Sequence, residues 1–203
     1  RRHQRCQCTI DYHPKNGKQQ NSWSKKWSKE SADVLERRKQ QNIDVRDNNR
    51  KVDIREYKKI VEILGPQNAP ISLAQFQELK YNDSERYERL RDVVYIQEKF
   101  KNGTWLDKIN HEKQARHIQS TSPSGKSYFY DHVDVNALYD KYKMTGFLET
   151  DRKGAQTSNE KVDLFEDKPL GIDVYTGRPV NAMTIKYSKT GAHLIPTYYE
   201  RGD

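Results

Sequence analysis

The 203-residue chain reads as an α+β protein, with helices first and a small helix-plus-antiparallel-sheet domain behind them. Two observations carry this. Apolar residues recur at helical spacing through residues 30–101, punctuated by Ser, Asn, Asp and Gly. After Asn102-Gly103 the pattern changes to one further helical stretch or two and then to short β-branched and aromatic pieces separated by Gly- and Pro-bearing turns.

Taken in order, residues 1–29 read as an irregular basic tail, rich in Gly, Pro, Asn, Ser and Gln, with Trp23 and Trp27 four apart among lysines. Residues 30–101 read as a helical connector. Ser31 caps a helix to Asn42 that carries Val34 and Leu35, and Asp47-Asn48-Asn49 is expected to break it. Val52, Tyr57, Ile60, Val61 and Leu64 form the next apolar stripe and stop at Gly65-Pro66. Ser72 caps a helix with Leu73, Phe76 and Leu79 inward, Asn82-Asp83-Ser84 ends it, and Tyr87, Leu90, Val94 and Phe100 mark a longer one.

Residues 102–203 form the second domain. Thr104 is placed to cap a helix from Trp105 to about His117, followed by a polar turn at 118–125 and a strand at Lys126–Tyr130. Asp134 opens a helix through Leu138 and Tyr142 that ends at Thr145-Gly146, and 151–160 is a loop. Strand-like pieces follow at 162–165, 171–175, 183–187 and 192–195, and the turns at Thr176–Pro179 and Lys189–Gly191 are expected to join the last three into one antiparallel sheet.

Composition bounds the function. Hydrophobic and charged residues each make up 33% of the chain, so any core is small and leans on 13 tyrosines and three tryptophans, with part of the chain ordered only in context. No apolar run approaches the ~20 residues of a spanning helix, so no membrane role is expected. The lack of an initiator Met is expected of a fragment of a longer protein. Cys6 and Cys8 are too close to form an ordinary disulfide, which fits a reducing setting. With His3 and His13 they have zinc-ligand chemistry, though without a defined zinc spacing. Residues 1–60 hold 17 Lys/Arg against 8 Asp/Glu, whereas 61–203 hold 20 against 21. The basic character therefore belongs to the N-terminal arm, which suits DNA, RNA or an acidic surface, or plain solvation.

Chemistry concentrates in Lys108–Ile118, with His111, Lys113, Gln114, Arg116 and His117 close together, and in Tyr187–His193. On a continuous helix Asn110, Lys113 or Gln114, and His117 share a face, while His111, six residues before His117, falls about 120° away. Ser188 and His193 flank a tight turn, but no carboxylate stands ready to orient a Ser-His nucleophile pair. The histidine spacing is not that of a helical zinc pair, so neither metal nor cofactor is expected. Metal-free RNA cleavage fits better. It needs a base for the ribose 2′-OH, an acid for the 5′-oxygen and cations for the charge built up at phosphorus. Histidine is the side chain able to take either proton role near neutrality. Tyr128, Tyr130, Tyr187 and Tyr198 are candidates to stack on bases, with packing as their ordinary alternative.

Two resemblances add to this reading. His3-Gln4-Arg5-Cys6-Gln7-Cys8, running on to Pro14, resembles the C-terminal edge of the phage Mu-type minor head (head morphogenesis) domain. Ser72–Asn82 resembles the helical tail that follows it. Over residues 104–198, the blocks Ile109–Ile118, Lys126-Ser127-Tyr128, Leu138–Gly146 and Ile185–Pro196 resemble, in order, the polymorphic toxin type 50 domain. That family is regarded as a ribonuclease toxin of the barnase/EndoU/colicin/RelE-like (BECR) fold. Its Lys-Gln-x-x-His-Ile core falls on Lys113, Gln114, His117 and Ile118, and its Tyr-Ser-x-x-Gly-x-His-x-x-Pro ending on Tyr187, Ser188, Gly191, His193 and Pro196. Met144-Thr145 stands where many members have Gly-Thr, and Lys186 where a His often precedes the Tyr-Ser pair.

The resemblance implies a C-terminal antibacterial toxin on a prophage-encoded minor head protein. His117, His193 and Lys113 are the expected catalytic residues, and Gln114, Arg116, Asn110, Lys126, Thr145, Tyr187 and Ser188 the expected substrate contacts. Implied partners are RNA (a tRNA loop, for example), a neutralising immunity protein and, through the upstream domain, the phage capsid or portal. The implied setting is the virion or producer cytoplasm, with action in the target-cell cytoplasm. Two other classes remain at this point: a non-catalytic virion protein whose basic arm meets DNA or the portal, and a toxin acting on a nucleotide or NAD-like substrate.

Overall fold

The computed structural model describes residues 11–12, 18–21 and 24–200, so the Cys6/Cys8 and Trp23 readings lie outside the described residues. The chain divides into two compact units, residues 1–56 and 57–203.

In the first unit, β1 (Asp11–Tyr12), β2 (Lys18–Asn21) and β3 (Trp27–Lys29) pair antiparallel where irregular chain was expected. Ser31 then opens α1 (Ala32–Leu64), its carbonyl accepting from Val34 and Leu35. The helix runs unbroken through Asp47-Asn48-Asn49. Each of these residues costs only a few tenths of a kcal/mol more than alanine in a solvated helix. Asn49 moreover turns its side chain back onto the Val45 carbonyl at 2.9 Å instead of opening the turn. The helix ends where the sequence places its end, at Gly65.

The second unit begins with the last turns of α1. Phe76 is fully buried between Tyr57 and Tyr87, with ring centroids 6.1 Å away on each side. It lies on α2 (Leu73–Asn82), capped by Ser72. Asp83 then caps α3 (Ser84–Lys101). Tyr95, Ile96 and Phe100 on α3 pack into the main core of the sheet-bearing part, so this helix is a wall of that core as well as a connector.

That core lies under two antiparallel sheets. One has the order β10-β9-β6-β5, from β5 (Phe147–Thr150), β6 (Gln156–Asp163), β9 (Ala182–Lys186) and β10 (His193–Thr197). The other has the order β4-β7-β8, from β4 (Tyr128–Phe129), β7 (Gly171–Asp173) and β8 (Arg178–Pro179). The architecture is α+β, as the sequence leads one to expect, but the last three pieces do not share a sheet. The turn after β7 folds the chain back as β8, pairing Ile172 with Pro179, and β9 instead pairs with β6 and β10. Helix α5 (Val135–Tyr142), capped by Asp134, contributes Leu138, Tyr139 and Tyr142 to the core. Among the described residues no helix is long and apolar enough to cross a membrane.

Along β10, Leu194 and Pro196 face the core while His193, Ile195 and Thr197 are only partly covered, the two-residue alternation of a half-buried strand. The register places His193 directly opposite Lys186 on β9. Neighbours of this kind share a face, so the sheet delivers an imidazole and an ammonium group side by side.

Candidate active site

The expected Trp105–His117 helix does not form as one piece. The regular part is α4 (His111–Gln114), followed by a 3₁₀ turn at Ala115–His117. The reason is non-local. Residues 106–110 give their backbone groups to the loop after β9: Leu106 N–H donates to the Ser188 carbonyl (3.1 Å), Ala192 N–H to Lys108 (2.8 Å) and Asn110 N–H to Ala192 (2.7 Å). Gly191 makes this clip possible. It has φ +110, and a Cβ there would lie 2.8 Å from the Lys108 carbonyl oxygen.

Asn110 is thereby the N-cap of α4, accepting from Lys113 N–H at 3.0 Å and donating to the Thr190 carbonyl at 3.0 Å. In this structure its side chain holds the loop. Gln114, 1% exposed, is also occupied: its amide donates to the Leu194 carbonyl (3.1 Å) and accepts from Leu194 N–H (2.7 Å). It behaves as a surrogate strand neighbour, closing the free edge of β10 beside His193. Two others lie away from the site. Tyr187 is 2% exposed, stacked on Trp105 (5.0 Å), with its hydroxyl on the fully buried Glu160. Thr145 closes the end of α5 through the Tyr142 carbonyl at 2.7 Å. Glu160 also holds the backbone N–H groups of Met144 and Gly146, and Met144 has the left-handed φ of 63 that glycine adopts most easily.

The remaining residues converge. His117 and His193 lie nearly parallel, with centroids 6.0 Å apart and planes 13° apart. Lys113 Nζ reaches Ser188 Oγ (3.1 Å) and Thr190 Oγ1 (3.0 Å). A cleft of about 260 Å³ is lined by Lys113, Arg116, Lys186, Ser188 and His193, with no carboxylate in its wall. A larger cleft of about 460 Å³ lies beside α5, where Lys141 pairs with Glu166 at 2.5 Å and Asp134 caps α5. The chemistry is in the smaller one.

The two imidazoles differ in their hydrogen bonding. His117 Nδ1 lies 3.1 Å from the Ser127 carbonyl, an acceptor only, so Nδ1 carries the hydrogen and Nε2 is the nitrogen that exchanges protons. Ser127 is itself fixed, its hydroxyl donating to buried Asp173 at 2.7 Å. His193 Nδ1 is buried without a partner among the described residues. Burial lowers the pKa of both rings. For His117 the Ser127 carbonyl opposes this, while Lys126 and Arg116 add to it. For His193, His117, Lys113, Lys186 and Arg116 add to burial and bring it down to about 4. An imidazolium at His193 would have an unpaired N–H at the buried Nδ1, which explains the direction.

Thr190 is a functional candidate that sequence reasoning missed, and Lys186, marked there only as a departure from the family's His, was given no role. Lys186 was visible as an outward position on an alternating strand, while Thr190 depends on the loop being clipped to α4. Among the described residues no group of three or more His, Cys, Asp or Glu side chains is placed to hold a metal ion. The cleft wall is cationic, a poor host for a further cation and a good one for an anion.

An α+β frame here brings two imidazoles together among cations, groups whose chemistry suits binding an anion and moving protons. Residues 109–196, the span that builds the cleft, match the family model described as Bacterial toxin 50. No curated protein matches the chain.

Proposed function

We propose that this span is a metal-independent endoribonuclease toxin of barnase/EndoU/colicin/RelE-like type. The observation that carries the reading is the near-parallel His117/His193 pair, with His193 lining a carboxylate-free cleft beside Lys113, Arg116 and Lys186. His193, the ring held more firmly neutral, takes the proton of a ribose 2′-OH. The 2′-oxygen bonds to the adjacent phosphorus as the bond to the 5′-oxygen breaks. His117, whose Ser127 carbonyl accommodates the charged ring, gives the 5′-oxygen its proton from Nε2. The products are a 2′,3′-cyclic phosphate and a 5′-hydroxyl, and both rings reset by exchange with water.

Lys113, Arg116 and Lys186 stabilise the charge on the non-bridging oxygens, and Lys126 adds to the field at His117. A bound phosphate offsets the same cations that depress the imidazoles, so substrate raises both pKa values toward working range. On this reading residues 30–101 are a connector behind the end of a phage minor head domain, with the basic arm on nucleic acid or portal. A neutralising immunity protein is the partner expected of a bacterial toxin domain. The test is incubation of the full chain with total RNA in EDTA, beside His117→Ala and His193→Ala. Cleavage by the wild type that either substitution abolishes is expected, and no cleavage, or equal cleavage by all three, contradicts the proposal.

A further inference from the structure

The strand next to His117 carries a feature that proton transfer does not use. Ile118 bridges Phe129 in parallel, and Gln119 N–H donates to the Phe129 carbonyl at 2.9 Å. Phe129 is fully buried, whereas Tyr128 beside it on β4 and Tyr130 just after the strand are part-exposed. His117 is tied to the residue before Tyr128 through the Ser127 carbonyl, 3.1 Å from its Nδ1. From there the rings continue: Tyr128 meets Tyr130 edge-on at 6.3 Å, and Tyr130 stacks on His132 at 5.6 Å and 17°.

These tyrosines differ from their counterparts in the core. Tyr57, Tyr95, Tyr139, Tyr142 and Tyr187 each direct the hydroxyl to a protein oxygen. No hydrogen bond of the Tyr128 or Tyr130 hydroxyl occurs among the described residues, and both rings are part-exposed. Both carboxylates beside His132 in sequence are held by local hydrogen bonds. Asp131 accepts from Ser120 N–H at 3.0 Å, and Asp134 is committed to capping α5.

The geometry points to a base-stacking track, Tyr128–Tyr130–His132, that leads single-stranded RNA away from the His117/His193 cleft. This deepens the ribonuclease reading and rests on it. Part-exposed aromatic faces following one another along β4 and the turn after it are the arrangement by which proteins hold unpaired nucleotides with little base preference. A duplex keeps its bases stacked on one another and has none to offer.

The test uses the full chain and non-cleavable 2′-O-methyl oligonucleotides, with binding read by fluorescence anisotropy. Tyr128→Ala and Tyr130→Ala each weaken binding of a single-stranded hexamer about tenfold, in line with the energy of one stacked base. Binding of a mononucleotide 3′-phosphate stays unchanged, and Tyr130→Phe binds the hexamer like the wild type. Equal hexamer affinity in wild type and alanine variants overturns the track, as does a duplex bound as tightly as the single strand. A parallel loss of mononucleotide binding overturns it too, showing a damaged cleft instead. Cleavage of ordinary RNA is measured separately, so stacking without cleavage refutes the ribonuclease reading alone, and cleavage without stacking refutes the track alone.

Discussion

The imidazole of His193 lies parallel to that of His117 at 6.0 Å, and only His117 has a carbonyl placed to accept from Nδ1. The asymmetry predicts which ring holds which proton. The kcat/KM profile of the free enzyme should be a bell, its acid limb set by His193 near 4 and its basic limb by His117 below the ordinary 6.5. Maximal kcat/KM therefore falls on the acid side of neutrality. The kcat profile lies at higher pH, because bound phosphate raises both groups. Rate measurements from pH 4 to 9 under both regimes check this, and superimposable profiles contradict it.

The same depression makes stability depend on pH. The folded pKa of His193 lies below the unfolded value, so the unfolded chain takes up the proton first. Its contribution is complete above the unfolded value of 6.5 and is lost as pH falls from there to about 4. Allowing for solvent screening of a half-exposed ring, the loss is about 1–2 kcal/mol. His117 adds to it in the same direction. Urea unfolding at pH 7 and pH 4.5 should show a smaller acid loss in His193→Gln than in the wild type.

Lys113 has its ammonium on Ser188 and Thr190 hydroxyls at the cleft wall. Its removal takes away a cation aimed at developing phosphorane charge, a change that costs about a hundredfold or more in rate. Lys113→Ala should lower single-turnover cleavage by that order while the melting temperature shifts little, because both hydroxyls remain within reach of water.

Gln114→Ala should do the reverse. It leaves the Leu194 N–H and carbonyl unpaired beside the core, a loss of about 2–4 kcal/mol. Denaturant unfolding checks the loss, and a variant of normal stability with a raised KM would instead restore Gln114 as a substrate contact.

Gly191→Ala tests the clip. Its φ of +110 and the Lys108 carbonyl 2.8 Å from the added carbon predict a loss of about 1–3 kcal/mol. Activity should fall as well, since Ser188 and Thr190 ride on the same loop. A variant with normal stability and rate would show that the loop tolerates another path.

Local signals were legible in the sequence and non-local ones were not. Gly65, Ser72, Asp83 and Asp134 mark helix ends in the structure as they do in the sequence, because capping is settled within a few residues. The convergence of His117 with His193 is expected from the chemistry that the two segments carry and from the order of the motif blocks. The failures share a cause in distant chain. Leu106–Asn110 leave the helix to pair with Ser188–Ala192, and Tyr187 is drawn inward by Trp105 and Glu160. β5 went unread because Phe147–Thr150 is short and is a strand only through β6. Lys186, a lone surface lysine in sequence, acquires meaning from its register with His193.

The central claim is that the two imidazoles drive attack by a 2′-hydroxyl. The most direct measurement compares one oligoribonucleotide with its counterpart bearing a single 2′-deoxy sugar at the cleaved position, in EDTA. Cleavage of the first to a 2′,3′-cyclic phosphate and a 5′-hydroxyl, with none at the deoxy position, is the predicted result. Cleavage at the deoxy position, or a 5′-phosphate product, would contradict it.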